Sequence, residues 1–567
     1  MKYSEWRLLP SGTTNGVIDL GLPTVESAVL FHRGISTKKD AESFLNPSSS
    51  SLNDPYLLPG MAACVSRLQL ALKNNEHIGI FGDFDTDGLT GTVVLSKGLR
   101  DLGGIVFPYV PHRVQEGHGI SSESIEFFKE KTVTLLVTVD CGVTSFEEVS
   151  LAGDAGIQTI ITDHHSPTEK LPNAVAIVNP ALKDSDYPFD GLTGVGTAFK
   201  VIEALFQTYE KSVPEYLYAL VALGTISDVG RMRDENRYLA RKGLAVMKRL
   251  QMPGIDSLIQ KAGFSKNRIS SENLSFGIIP RINVAGRLEH ADLSLRLLMS
   301  TDSEESTAIA NKLEYLNKKR QVITEKAVSE ARDQLLSQSS GKTPSMIFSG
   351  NKAWPAGILG LIAGRLSEEY HRPAVAVSGS GEYLRASARS IPEFNMIEAL
   401  RTCESVFEKY GGHPMAAGFT IHKDNLRKFR QQMSSIADEL LGQLSVGSVL
   451  EIEHEITPGW LNSESLKFLS DLEPYGDGNA TPVFMTTGVN VLDARTVGKG
   501  GDHLKLTVEH KGNLFDAIGF RQGNRLKEAR GDLDIAYTGG INYWNGRQSI
   551  QLTIEDFRKS NHASSSL

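Results

Sequence analysis

The run Asp83-Phe84-Asp85-Thr86-Asp87-Gly88 sets three carboxylates at alternate positions. That much negative charge in six residues needs a hard divalent cation or a cage of donors to relieve it. A calcium-binding EF-hand loop opens in a similar way, but it requires a glutamate six residues after its glycine and a helix before it. Here Val94 stands at that position and an apolar, strand-like run precedes the motif. Two more acidic signals follow similar runs: Asp140 after 134–139, and Asp163-His164-His165 after 159–162. Ligand sites of open α/β sheets form outside the carboxyl ends of their strands, so the three clusters converge if these strands are parallel neighbours. Asp228 also follows an apolar segment, and spacing alone leaves it either a fourth contributor or a helix cap. Carboxylates with one or two imidazoles and no thiolate suit manganese or magnesium and disfavour structural zinc. Several carboxylates exceed the needs of one ion and point to a pair about 3.5–4 Å apart, which activates water and steadies an in-line displacement at phosphorus. The chemistry implied is phosphoester hydrolysis.

The surrounding elements must deliver these groups. β-Branched runs recur at 77–81, 105–110, 134–139, 159–162 and 175–178, separated by helix-compatible stretches such as 89–102 and 145–155. The alternation predicts an α/β fold with a parallel sheet covered by helices. Residues 194–250 read as helical, and 303–337 as one helix with Ser303 as its N-cap; at 1.5 Å per residue it spans about 50 Å, a connector more than a core element. A second, smaller α/β region covers 344–440. From about 446 strands alternate with glycine turns, as at 535–538 and 549–553, which predicts a small antiparallel barrel. The division expected is an N-terminal segment 1–60, a catalytic domain 61–300, a connecting helix 301–340, a substrate-binding domain 341–445 and a barrel 446–560.

With 567 residues the chain exceeds the size of one core. Its apolar fraction of 40% and charged fraction of 22% exclude disordered and disulfide-scaffold classes. Cys64, Cys141 and Cys403 are odd in number and far apart, so they form neither a disulfide framework nor a CxxC site, and a reducing compartment is expected. The N-terminus lacks a signal-peptide core, and the longest mostly apolar stretch, 217–226, is too short to cross a bilayer. A soluble cytoplasmic protein is expected. The net charge of −8 excludes a coat of positive charge, so a polyanion needs a local groove.

Asp-His-His at 163–165, Asp-x-Asp-x-Asp-Gly at 83–88 and Gly-Gly-His-x-x-Ala-Ala-Gly at 411–418 resemble the DHH phosphoesterase superfamily with its DHH-associated domain. Within it the chain is most similar to the bacterial single-strand-specific DNA exonucleases, through the segments 52–59, 280–288, 472–476 and 544–552. The resemblance implies a 5′-to-3′ exonuclease that releases mononucleotides from single-stranded DNA with Mn2+ or Mg2+, two ions in all. It implies a metal shell of Asp83, Asp85, Asp87, Asp140, His164 and Asp228, with His165 beside the scissile phosphate and Arg281 contacting it. Arg113, Ser387 and Arg389 would hold the 5′-terminal phosphate, and Gly411, Gly412 and His413 the backbone phosphate. The barrel resembles an OB-fold, which holds single strands by aromatic stacking in a positive groove. Its candidates are Phe515, Phe520, Tyr543 and Trp544 with Arg521, Arg525, Lys527 and Arg547, although Phe515 and Phe520 read equally as barrel core. The implied partners are single-stranded DNA with a 5′ end, a RecQ-type helicase and a single-strand-binding protein, with no membrane and a monomeric enzyme. Three positions depart from the family pattern: Phe81 replaces a frequent histidine, Pro355 follows Trp354 where histidine is common, and the loop 476–480 carries Asp477. The alternatives are a DHH phosphodiesterase of short oligonucleotides or cyclic dinucleotides, and a non-catalytic replication scaffold of the same fold. Length and extra modules disfavour the first, and the intact aspartates and histidines the second.

Overall fold

Five short apolar strands, three of them ending directly before an aspartate, form the heart of the structure. The structure, a computed structural model, describes residues 3–10, 20–338, 342–442, 447–498, 500–544 and 547–560, with the backbone alone at 338, 542–544, 547 and 548. The chain divides into two units: residues 52–230 with 235–446, and residues 1–51 with 231–234 and 447–567.

The larger unit holds the acidic motifs. Its first sheet runs in the order Ile105–Tyr109, His77–Gly82, Val133–Val139, Gln158–Thr162, Ala176–Val178, every pair parallel. The chain lays one strand to one side of His77–Gly82 and the next three to the other, so the switch point falls between His77–Gly82 and Val133–Val139. Val133–Val139 reads VTLLVTV with six of seven residues buried, the near-continuous apolar run of a strand covered on both faces. Helices Thr86–Asp101, Gly194–Thr208 and Glu215–Ser227 are buried along most of their lengths.

The long helix spans Ser303–Gln338. Its N-cap is Asp302 rather than Ser303, because the Asp302 carboxylate accepts from the Glu305 amide at 2.7 Å and ends the chain's extended approach. It is also more than a connector: Ala327, Val328, Ala331 and Leu335 join the apolar cluster of Ile347, Ile358, Ile362 and Ala376. A second sheet follows, ordered Phe407–His413, Ala416–His422, Tyr383–Arg389, Ala374–Ser378, Ile347–Gly350, with only the last pair parallel. The glycine-rich run 411–418 is the tip of its hairpin, with Gly411 opposite Gly418 and His413 opposite Ala416.

In the smaller unit Phe484–Val497, His503–His510, Asn513–Gly519, Arg547–Lys559 and Gly531–Trp544 pair in that order, and Gly531–Trp544 returns to Phe484–Val497, closing a five-stranded barrel. All pairs are antiparallel except Asn513–Gly519 with Arg547–Lys559. Strand Glu5–Leu8 pairs parallel with Val449–Ile452, so the N-terminal residues belong to this unit. Loop 476–480 is held inward: Asn479 is buried, donates to the Leu472 and Pro474 carbonyls, and accepts from Arg33 Nε at 2.7 Å.

Candidate active site

Strand His77–Gly82 delivers Asp83, whose amide donates to the Val139 carbonyl across the switch point at 3.3 Å. Asp85 caps helix Thr86–Asp101, accepting from the Asp87 and Gly88 amides at 2.9 and 3.2 Å. Two residues on, within the first turn, Asp87 faces the start of helix Gly194–Thr208 and accepts from the Gly194 and Val195 amides at 2.7 and 2.9 Å. The positive end of that helix thus fixes the carboxylate without neutralising it. Asp140, directly after Val133–Val139, has φ 60°. A side chain held there costs about 1–3 kcal/mol and persists only where its surroundings impose it. A Cβ on Gly194 would lie 2.5 Å from the Asp140 Cβ, so the approach of helix to strand end requires glycine.

These groups meet. His164 Nε2 lies 3.0 Å from Asp140 Oδ1 and 3.9 Å from both Asp87 Oδ2 and Asp228 Oδ2. Two ion-sized trios result, Asp83 with Asp85 and Asp140, and Asp87 with His164 and Asp228; in each the ligand atoms lie within 4.8 Å of one another. A third grouping, Asp140 with His164 and His165, overlaps both. Asp228, which spacing left open, terminates helix Glu215–Ser227 and belongs to the second trio. The donors suit a hard divalent ion, and the buried Asp83 Oδ1 accepts no hydrogen bond, which leaves it available as a ligand atom.

The electrostatics agree. Burial, then repulsion by Asp83 and Asp87, lifts Asp85 to about 6. Burial and Asp87 lift Asp228 to about 7, and burial with Asp87 and Asp85 lifts Asp140 well above the carboxylate range. At an effective dielectric of about 20, two unit charges about 4 Å apart repel by roughly 4 kcal/mol, so such a cluster stays ionised only with cations present. Asp163 plays a different part. It accepts from the Val143, His164 and His165 amides and from His165 Nδ1 at 2.8 Å, so it orients the His165 imidazole and fixes the backbone of both histidines. Burial alone would lower His165, but that bond and the charge of Asp163 outweigh it and hold the ring near 9. The His165 ring stacks 5.7 Å from that of His413, at the hairpin tip.

Arginines gather beside the acids. Arg113 lies over the Phe84 ring at 4.7 Å. Arg389 Nη1 donates to Ser387 Oγ at 3.2 Å and to the Ala388 carbonyl at 2.8 Å. Arg287 donates to the Gly357 carbonyl at 3.1 Å, is partly buried, and is repelled by Arg113, Arg320 and Arg389. Burial and these neighbours pull Arg287 down, as burial and Arg113 do for Arg389. A guanidinium stays charged in proteins, so this cluster of like charges is suited to an anion. Arg281 is placed differently. Its Nε donates to Glu314 at 2.7 Å and its Nη1 to the Gly277 carbonyl at 2.6 Å, which commits it to the long helix.

Several expectations take another form. Phe81 is buried and stacks on Tyr109 at 5.8 Å, a core residue of the sheet. Trp354 is buried with Nε1 donating to Glu330 at 2.8 Å, and after Pro355 the chain presents a carbonyl, that of Gly357, to Arg287. In the barrel, Phe515 packs against the core, Phe520 is 55% exposed, and Arg521 and Lys527 are exposed. Arg525 is structural, bonded to Asp556 at 2.6 Å and lying over Phe557. Tyr543, Trp544 and Arg547 are described by backbone alone, at the paired ends of two strands, and their side chains lie outside the described residues. Sequence reasoning missed Arg287 and Arg320. Arg287 falls in a segment singled out by resemblance, whereas Arg320 ends the run Lys318-Lys319-Arg320 on a helix with no motif to mark it.

Three family models match: "DHH family, N-terminal domain" over residues 77–225, "DHHA1 domain" over 343–439 and "RecJ OB domain" over 452–556. The single-stranded-DNA-specific exonuclease RecJ of Bacillus subtilis is 33% identical over 541 residues, covering 95% of this chain and 68% of its own length. Among solved structures, RecJ of Thermus thermophilus in complex with Mn2+ matches with TM-score 0.82 and 29% identity over 98% of this chain and 79% of that one. The same protein with Mg2+ matches with TM-score 0.77 and 28% identity over 98% and 78%. Likeness over nearly the whole length, in sequence as in fold, shows the lineage: the chain belongs to the RecJ family of single-stranded-DNA-specific exonucleases.

Proposed function

We propose that the protein is a metal-dependent 5′-to-3′ exonuclease that hydrolyses the phosphodiester bonds of single-stranded DNA and releases 5′-mononucleotides in DNA repair and recombination. One observation carries the reading: two carboxylate-rich, ion-sized trios lie beside a group of mutually repelling guanidiniums, those of Arg113, Arg287 and Arg389. A phosphate diester bound with divalent cations satisfies both. Asp83, Asp85 and Asp140, and Asp87, His164 and Asp228, would hold Mn2+ or Mg2+, which would supply an activated water and charge stabilisation at the phosphoryl oxygens. Asp140, within 3.0 Å of His164, is placed to serve both trios.

The chain's own residues do the rest. His165, kept protonated by Asp163 through Nδ1, offers its Nε2–H to a non-bridging oxygen of the scissile phosphate. Arg287 takes the phosphate contact that resemblance gave to Arg281, since Arg281 is already engaged by Glu314 and Gly277. Arg113, Ser387 and Arg389 hold the 5′-phosphate in fork geometry, which sets polarity, and Gly411, Gly412 and His413 offer the hairpin tip to the backbone. The barrel, with Phe520, Trp544 and Arg547, holds the strand by stacking and charge. The enzyme works as a monomer in the cytoplasm, where a RecQ-type helicase and a single-strand-binding protein supply and present the strand. Among the described residues no helix is long and apolar enough to cross a membrane.

The test compares 5′-phosphorylated single-stranded and duplex DNA with Mn2+, before and after Asp140→Ala. The expected result is mononucleotides from the single strand, a spared duplex, and loss of turnover with strand binding retained in the variant. An unchanged rate in the variant removes Asp140 and the two-trio reading with it.

A further inference from the structure

The two trios are unequal. One contains the imidazole of His164, whereas Asp83, Asp85 and Asp140 offer oxygen alone. Within the oxygen-only trio, Asp83 Oδ1 is buried and has no hydrogen-bond partner. The imidazole facing that atom is His118, with Nδ1 3.4 Å away. His118 belongs to the loop between strand Ile105–Tyr109 and helix Ser122–Glu130. Gly117 and Gly119 flank it with φ 86° and 85°, left-handed values that turn the chain around this residue. Its ring rests on Phe84 at 4.4 Å between centroids, and Arg113 lies over the same Phe84 ring. Phe84, between two of the carboxylates, is therefore a shelf that carries His118 and Arg113 to the rim of the site. The His118 side chain is 71% exposed, so it approaches from the solvent side, where a ligand position not filled by the buried aspartates lies.

We propose that His118 is a nitrogen ligand of the ion held by Asp83, Asp85 and Asp140, and that it biases this position toward manganese over magnesium. The inference rests on the metal-dependent reading above. Around an ion with bonds of about 2.1 Å, adjacent ligand atoms stand roughly 3 Å apart, close to the separation of His118 Nδ1 and Asp83 Oδ1. The imidazole stands just outside the trio and closes on it by rotation of its own side chain, which neither glycine neighbour obstructs. Magnesium favours oxygen and gives up water reluctantly, whereas manganese accepts imidazole, so the added nitrogen strengthens one ion more than the other.

The full-length protein, stripped of metal, is titrated with Mn2+ and followed by electron paramagnetic resonance. Bound ions are counted and nitrogen couplings resolved, and Mg2+ is measured by competition. His118→Ala and His118→Gln are compared with the unchanged protein, and circular dichroism confirms that both fold. The expected result is two bound Mn2+, one of which loses affinity roughly tenfold and loses its nitrogen coupling in both variants, with Mg2+ affinity changed less than about twofold. Unchanged Mn2+ affinity and couplings overturn the proposal, and so does equal weakening of Mn2+ and Mg2+, which marks a purely electrostatic role. If the unchanged protein binds no Mn2+, or if Asp140→Ala binds both ions as before, the parent reading fails; intact binding abolished by Asp140→Ala but indifferent to His118 sinks this inference alone.

Discussion

The acidic trios and the arginine group are opposites built from the same material. In one, burial and mutual repulsion lift carboxylates, Asp228 to about 7; in the other, the same forces pull Arg287 and Arg389 down. Arg113 and Arg287 feel the pull of Asp85, yet no collapse into ion pairs follows. Asp85 is spent on a helix cap, Asp87 on two helix amides and Arg389 on Ser387 and a carbonyl, so the backbone holds each charge in place. The lesson is that both groups are organised for something that carries charge of both signs, a phosphate with its cations, and not for each other. Buried charge left unpaired is costly, which is why such an arrangement marks function and not stability.

That contrast can be broken from either side. The largest effect is expected on the acidic side. Asp140→Ala should lower Mn2+-dependent turnover about a thousandfold or more in single-turnover assays, because the several kcal/mol of transition-state stabilisation from bound ions go with it. Next comes the choice between two arginines: Arg287→Ala should cost about a hundredfold in kcat/KM, while Arg281→Ala should chiefly lower Tm, by uncoupling Glu314. Equal losses of kcat/KM would erase the distinction. On the basic side, Arg389→Ala should weaken binding of 5′-phosphorylated strands about tenfold to a hundredfold and leave 5′-hydroxyl strands little changed, as a competition titration would show.

Those two arginines show what the sequence tells and what it withholds. Asp83, Asp140, Asp163 and His164 were legible because a carboxylate directly after an apolar strand has its position set by the strand. Asp228 was reached only through the resemblance and not through spacing, since it ends a helix, and the packing of Glu215–Ser227 against its neighbours decides where that end falls. Arg281 and Arg287 share helix Ile279–Leu288, and six residues at about 100° each set them roughly 120° apart around its axis. Motif likeness marks the segment; only packing tells which face meets the site. The parallel strands of the first sheet and the barrel strands followed from alternation and glycine turns, whereas the order of that sheet and the hairpin at 411–418 emerged only from the structure. The parallel barrel pair and the joining of Glu5–Leu8 to Val449–Ile452 did not, because long-range pairing leaves no local trace.

A smaller effect sharpens the comparison through pH. Asp228 is raised in the folded state, so between about pH 4 and 7 the folded chain keeps a proton that the unfolded chain releases, and stability falls as pH rises. Asp228→Asn should gain on the unchanged protein over that window when both are melted in chelator. Saturating Mn2+ should cancel the gain, because the cation favours the ionised carboxylate. His165, also raised, contributes stability that is full below about 6.5 and fades through 9. A metal-free difference curve that stays flat from pH 4 to 7 would contradict the unmet charge on the acidic side.

The pairing of Glu5–Leu8 with Val449–Ile452 bears on how the molecule is made. Ser4 and Ser448 bond across 444 residues, so on the ribosome the earliest strand waits for most of the polypeptide to emerge before it finds its mate. The acidic residues and arginines all lie in the stretch translated in between, and that stretch can settle while the barrel is still unborn. Nascent chains halted after residue 446 should therefore already resist protease across the first sheet, with the opening strand still open to cleavage.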